Sequence, residues 1–87
     1  MSDDQEHLTI TAADHRRAAA LVAHHGRGDS AGISAILGEV NDCHRPTELM
    51  LAVLELYQEL VPAVHTPLGL QFLSSYLHKV AGLEDPA

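Results

Sequence analysis

The residues of this 87-residue chain with the most chemical capacity are seven histidines and a lone thiol: His7, His15, His24, His25, His44, His65, His78 and Cys43. A zinc site needs three or four ligands, commonly with two of them one helical turn apart on a single face. No two of these histidines lie three or four positions apart, and no Cys-x-x-Cys occurs. A metal site would have to be gathered from separate segments, and His24, His25, Cys43 and His44 form the set that two loops could bring together. Metal binding through that set is the alternative reading of the chain. Otherwise the histidines are surface groups that titrate at about pH 6.5 and lower the negative charge as pH falls. His44 and Arg45 favour a Cys43 thiolate while a helix C-terminus disfavours it, so a partly buried, inert thiol is expected.

Carboxylates are the other candidates. Glu48, Glu55 and Glu59 share one flank of a helix, with Glu55 and Glu59 one turn apart. Paired carboxylates can serve acid–base or metal chemistry. The Glu-x-x-His signature of di-iron bundles is absent, so the expectation is a solvated acidic stripe open to a basic partner. No Ser or Cys sits in a nucleophile motif, and the chain reads as non-enzymatic with no cofactor implied.

Residues 26–30 spell GRGDS. The string resembles the Arg-Gly-Asp motif that integrins read in extracellular matrix proteins, which makes an adhesion ligand the remote alternative. A turn accounts for the same residues. Gly26 is expected as a left-handed helix stop, Gly28 as a turn residue, and Asp29 or Ser30 as the cap of the next helix.

These groups must be positioned by helices. The first is expected from Ala12 to His25, capped by Thr11 in a Thr-x-x-Asp pattern with Asp14, and with Ala18, Ala19, Leu21 and Val22 as a small-residue stripe. The second follows Asp29 or Ser30 and runs to Asn41 or Cys43, with Ile33, Ile36, Leu37 and Val40 on one face. The third opens at Pro46, with Leu49, Val53, Leu56 and Leu60 as one stripe and Met50, Leu54, Tyr57 and Val61 beside it; Pro62 should kink or end it. The fourth is capped by Thr66, opens at Pro67 and ends at Gly82, with Leu68, Phe72, Leu73, Tyr76, Leu77 and Val80 along a broad apolar face. Residues 1–10 read as a flexible acidic leader, 11–83 as a single helical domain and 84–87 as a polar tail.

Hydrophobic residues make up 46% of the chain, yet it has only two Tyr, one Phe and no Trp. Ala, Leu and Val must build the core, which suits helices better than a sheet. The expected fold is all-α, a compact antiparallel four-helix bundle. A net charge of −7, with Arg16, Arg17, Arg27, Arg45 and Lys79 scattered along the chain, argues against nucleic acid and anionic membranes as partners. A single Cys, an acidic start unlike a signal peptide and no long apolar run point to the cytoplasm.

The stretch from His24 to Pro62, with its Ala, Gly, His and Val bias, resembles small helical proteins of high-GC actinobacteria. No activity is known for that group, so it carries over no functional residue. In length and acidity the chain is also similar to colicin immunity proteins, although their paired-tyrosine motif is absent. The third and fourth helices have more apolar arc than a small monomer needs. The expected function is therefore protein–protein interaction, with an unidentified protein or a second copy as partner. Leu51, Leu70 and Leu77, with Glu48, Glu55 and Glu59, are the candidate contact residues.

Overall fold

The computed structural model describes residues 9–84, so residues 1–8 of the expected leader and 85–87 of the expected tail lie outside it. The described residues are all-helical: α1 (Ala12–Gly26), α2 (Ser30–Cys43), α3 (Pro46–Leu60), a 3-10 turn (Pro62–His65) and α4 (Pro67–Glu84). The chain divides into two compact units, the division falling inside α3 between Leu56 and Tyr57.

In the first unit, each helix start follows from a local signal. Thr11 and Asp14 form a reciprocal capping box: Thr11 Oγ1 accepts from the Asp14 amide at 3.3 Å, and Asp14 Oδ2 accepts from the Thr11 amide at 2.8 Å. Asp29 caps α2, its Oδ1 accepting from the Gly32 amide at 2.9 Å. Pro46 opens α3, where a missing N–H costs nothing. The stop of α1 differs from expectation. Gly26 is the last helical residue, Arg27 caps in the right-handed region, and the positive φ falls at Gly28 (69°). The Arg27 amide reaches back to the Ala23 and His24 carbonyls, which tightens the last turn and delays the reversal by two residues. α2 ends instead on a left-handed His44 (φ 58°).

The core of this unit is small: Ala18, Ile36, Val40, Leu49 and Ala52, with Ile10, Ala20, Leu21 and Val53 packed against it. Alanines at 18 and 52 allow close packing without large side chains. Ala19, expected in the small-residue stripe, faces out; Asp14 and Arg17 are buried beside Ala18. Along α3 the expected stripe loses burial with each turn: Leu49 is buried, Val53 and Leu56 are half-buried, and Leu60 is 66% exposed.

In the second unit Pro62 ends α3 and begins the 3-10 turn. The Val61 amide still donates to the Tyr57 carbonyl at 2.7 Å, and those of Val64 and Thr66 donate to Val61 and Ala63. Thr66 Oγ1 accepts from the Gly69 amide at 3.1 Å and caps α4. Gly69 lies against the Ala63 carbonyl and Val64, with no room for a Cβ, and this lets the 3-10 turn pack on the first turn of α4. α4 runs through Gly82, the expected stop, to Glu84, because Gly82 keeps a helical backbone.

Candidate functional site

The strongest electrostatic feature of the molecule is a carboxylate that sequence reading assigned only to a helix cap. Asp14 is 1% exposed and accepts from five donors. Arg45 binds it side-on, Nε to Oδ1 at 2.8 Å and Nη2 to Oδ2 at 2.7 Å. Arg17 Nη1 donates to Oδ1 at 3.2 Å, and the Thr11 amide and hydroxyl complete the set. Arg45 holds the carboxyl well below the usual range; burial opposes this, and Thr11 adds to the lowering.

The cluster extends outward. Arg17 Nε and Arg16 Nη2 both donate to Glu39 Oε2, at 2.7 and 2.9 Å, which lowers the Glu39 carboxyl, Arg17 being the larger cause. Arg45 Nη2 also donates to the Thr9 carbonyl at 2.8 Å. The cluster thus ties the N-terminal part of α1 and the C-terminal part of α2 to the turn before α3. No described buried side-chain N or O lacks a partner. Such an arrangement joins α1, α2 and the turn before α3 through charged hydrogen bonds.

Sequence reasoning missed this cluster. The i, i+3 spacing of Asp14 and Arg17 was visible, but Arg45 stands 31 positions from Asp14. Arg16, Arg17 and Arg45 are not merely scattered basic residues; they are engaged with Glu39 and Asp14.

The His/Cys set is placed otherwise than a metal site requires. Among the described residues no group of three or more His, Cys, Asp or Glu side chains is positioned to hold a metal ion. His24 Nδ1 lies 3.1 Å from Asp29 Oδ2 and 3.0 Å from Arg27 Nη2. A protonated Nδ1 suits Asp29 and a bare one suits Arg27, so the tautomer selects between them. His25 is exposed, and His44 serves as the left-handed cap of α2. Cys43 is exposed rather than partly buried, because it ends α2 on the solvent side; Arg17 Nη2 approaches its sulfur at 3.8 Å. Within the GRGDS turn, Gly28 takes the positive φ and Asp29 caps α2.

The acidic flank of α3 also divides. Glu48 is 8% exposed and does not belong to a solvated stripe: it sits in the first turn of α3. Glu55 and Glu59 are exposed, and His15 Nε2 lies 3.5 Å from Glu55 Oε1. Leu51 is half-buried.

The largest exposed apolar feature lies on α4. Leu68, Leu70, Phe72, Leu73, Tyr76 and Leu77 are each between 48% and 69% exposed. Two shallow clefts run along the helix. One, of about 340 Å³, is framed by Val61, Ala63 and Val64 on one side and by Gly69, Phe72, Leu73 and Tyr76 on the other. The other, of about 550 Å³, shares Leu73 and Tyr76 and continues over Leu77, Val80 and Ala81 to Glu84. Of the expected contact residues, Leu70 is exposed and Leu77 is exposed and lines the second cleft. No helix among the described residues is long and apolar enough to cross a membrane. No protein-family model matches the chain, and no curated protein or solved structure matches it.

Proposed function

We propose that this protein is a non-enzymatic protein–protein interaction module whose working surface is the apolar face of α4. The observation that carries this reading is the run of large apolar side chains from Leu68 to Leu77, left between 48% and 69% exposed. Taking roughly 150–200 Å² for a fully exposed large side chain, six of them present on the order of 700 Å². The largest apolar patch on an ordinary monomer is about 300–600 Å². The chain would act in the cytoplasm, where an exposed, unpaired Cys43 stays reduced. The Asp14 cluster contributes rigidity to the scaffold and takes no part in chemistry.

The test combines light scattering at tens of micromolar with binding of an apolar fluorescent dye such as ANS. The reading requires that the face be either occupied by another chain or open to the dye. A monomer that binds no dye sinks it.

A further inference from the structure

We infer that the occupant of the α4 face is a second copy of this chain, bound antiparallel about a two-fold axis that passes between Tyr76 and Leu77. The pairing presupposes that α4 is an interaction face and goes on to name what it binds. Three observations select a second copy.

The first is register. With the axis between positions 76 and 77, Tyr76 meets the partner's Leu77, Leu73 meets the partner's Val80, and Phe72 meets the partner's Ala81. Every α4 residue that lines the two clefts then lies opposite another lining residue, so the stripe is complementary to itself, as a two-fold interface requires. At one pair a large side chain meets a small one, the ring of Phe72 facing the methyl of the partner's Ala81.

The second is charge. The chain carries twelve acidic residues, yet residues 60–83 contain none. Two chains of net charge −7 can approach through this face without placing carboxylates against one another. The one acid on α4, Glu84, falls at the edge of the pairing, toward the N-terminal end of the partner's α4, where the dipole favours a negative charge.

The third is area. The four large side chains that this register brings together, Phe72, Leu73, Tyr76 and Leu77, expose on the order of 450 Å² per copy, and about 900 Å² for the pair falls in the range of a reversible interface.

The deciding experiment is disulfide trapping in a Cys43→Ser background, which removes the exposed native thiol. The pair Leu73→Cys with Val80→Cys should oxidise to a covalent dimer in high yield, while Leu73→Cys alone and Val80→Cys alone should remain monomeric on a non-reducing gel. The unmodified protein should scatter light as a dimer at tens of micromolar, and Leu73→Glu should reduce it to a monomer with unchanged helical circular dichroism. Equal cross-linking by Leu73→Cys alone would mean parallel pairing and overturn the proposal. A native monomer that binds ANS overturns self-pairing but leaves α4 as an interaction face for another protein. A native monomer that binds no ANS overturns both.

Discussion

Arg45 holds Asp14 side-on across 31 residues of chain, with Nε at 2.8 Å and Nη2 at 2.7 Å from the two carboxylate oxygens. This paired contact joins the turn before α3 to the first turn of α1, and it lies beside a core of only five buried apolar residues. In so small a core, a satisfied ionic clamp weighs more than it would in a larger domain. Asp14→Asn keeps the shape but leaves Arg45 without its carboxylate partner and Arg17 with Glu39 alone. Urea denaturation should show a loss of about 3 kcal/mol, the low end for breaking a buried pair because Arg45 remains partly in water. Arg45→Lys should also lose stability, since an ammonium cannot make both contacts at once. A change within experimental error for Asp14→Asn would remove the clamp from the account.

The same cluster sets the response to acid. Asp14, Glu39 and Asp29 all have carboxyls lowered by partners that exist only in the fold: Arg45, Arg17 and the Gly32 amide respectively. A lowered carboxyl adds stability that is fully present above its unfolded value and is lost as pH falls toward its folded value. The melting temperature should therefore be flat from about pH 7 to pH 5 with respect to these groups and fall steeply below about pH 4. In Asp14→Asn the acid limb should be shallower, because one of the three groups no longer takes up a proton on unfolding. A limb of unchanged slope would mean that Asp14 does not titrate with the fold.

Much of the helical layout was legible because its signals are local. Thr11 with Asp14, Asp29 before Ser30, Pro46 and Thr66-Pro67 each act within one turn of the helix they start. The Asp14–Arg45 contact was not legible, since no periodicity links residues so far apart. Glu48 was misplaced for a related reason: on a wheel it flanks Glu55, but burial at the start of α3 is set by tertiary packing, which the wheel does not contain. The GRGDS turn holds two glycines, and which one takes the positive φ depends on how tightly the last turn of α1 closes. The apolar face of α4 could be read from spacing, whereas its occupant could not, because periodicity describes only one side of an interface.

His44 marks a place where the chain departs from local preference. It holds φ 58° at the end of α2, and its amide donates to the Asn41 and Val40 carbonyls. The left-handed region costs an L-residue roughly 1–2 kcal/mol relative to its ordinary conformations, and glycine escapes that cost at the expense of a more flexible unfolded chain. His44→Gly should stabilise the protein by about 0.5–1 kcal/mol in urea denaturation, with the Arg45–Asp14 contact intact. Destabilisation would show that the imidazole makes a contribution beyond the turn.

Two glycines inside helices should respond oppositely to the same substitution. Gly38 lies in α2 with nothing within 4 Å of an added Cβ, so Gly38→Ala should gain most of the ~1 kcal/mol difference in helix propensity. Gly69, in α4, faces the Ala63 carbonyl and Val64 backbone, which cannot rotate away as a side chain would. Gly69→Ala should forfeit the propensity gain and push the Pro62–His65 turn off the helix. Hydrogen exchange at the Val64 and Thr66 amides, which donate to Val61 and Ala63, should quicken in Gly69→Ala and stay unchanged in Gly38→Ala. Because that turn forms one wall of the cleft over Phe72 and Leu73, Gly69→Ala should also weaken any association through α4, while Gly38→Ala leaves it unaltered. Equal stabilisation by both substitutions would show that the turn yields freely, and that the cleft wall is not held by close packing at Gly69.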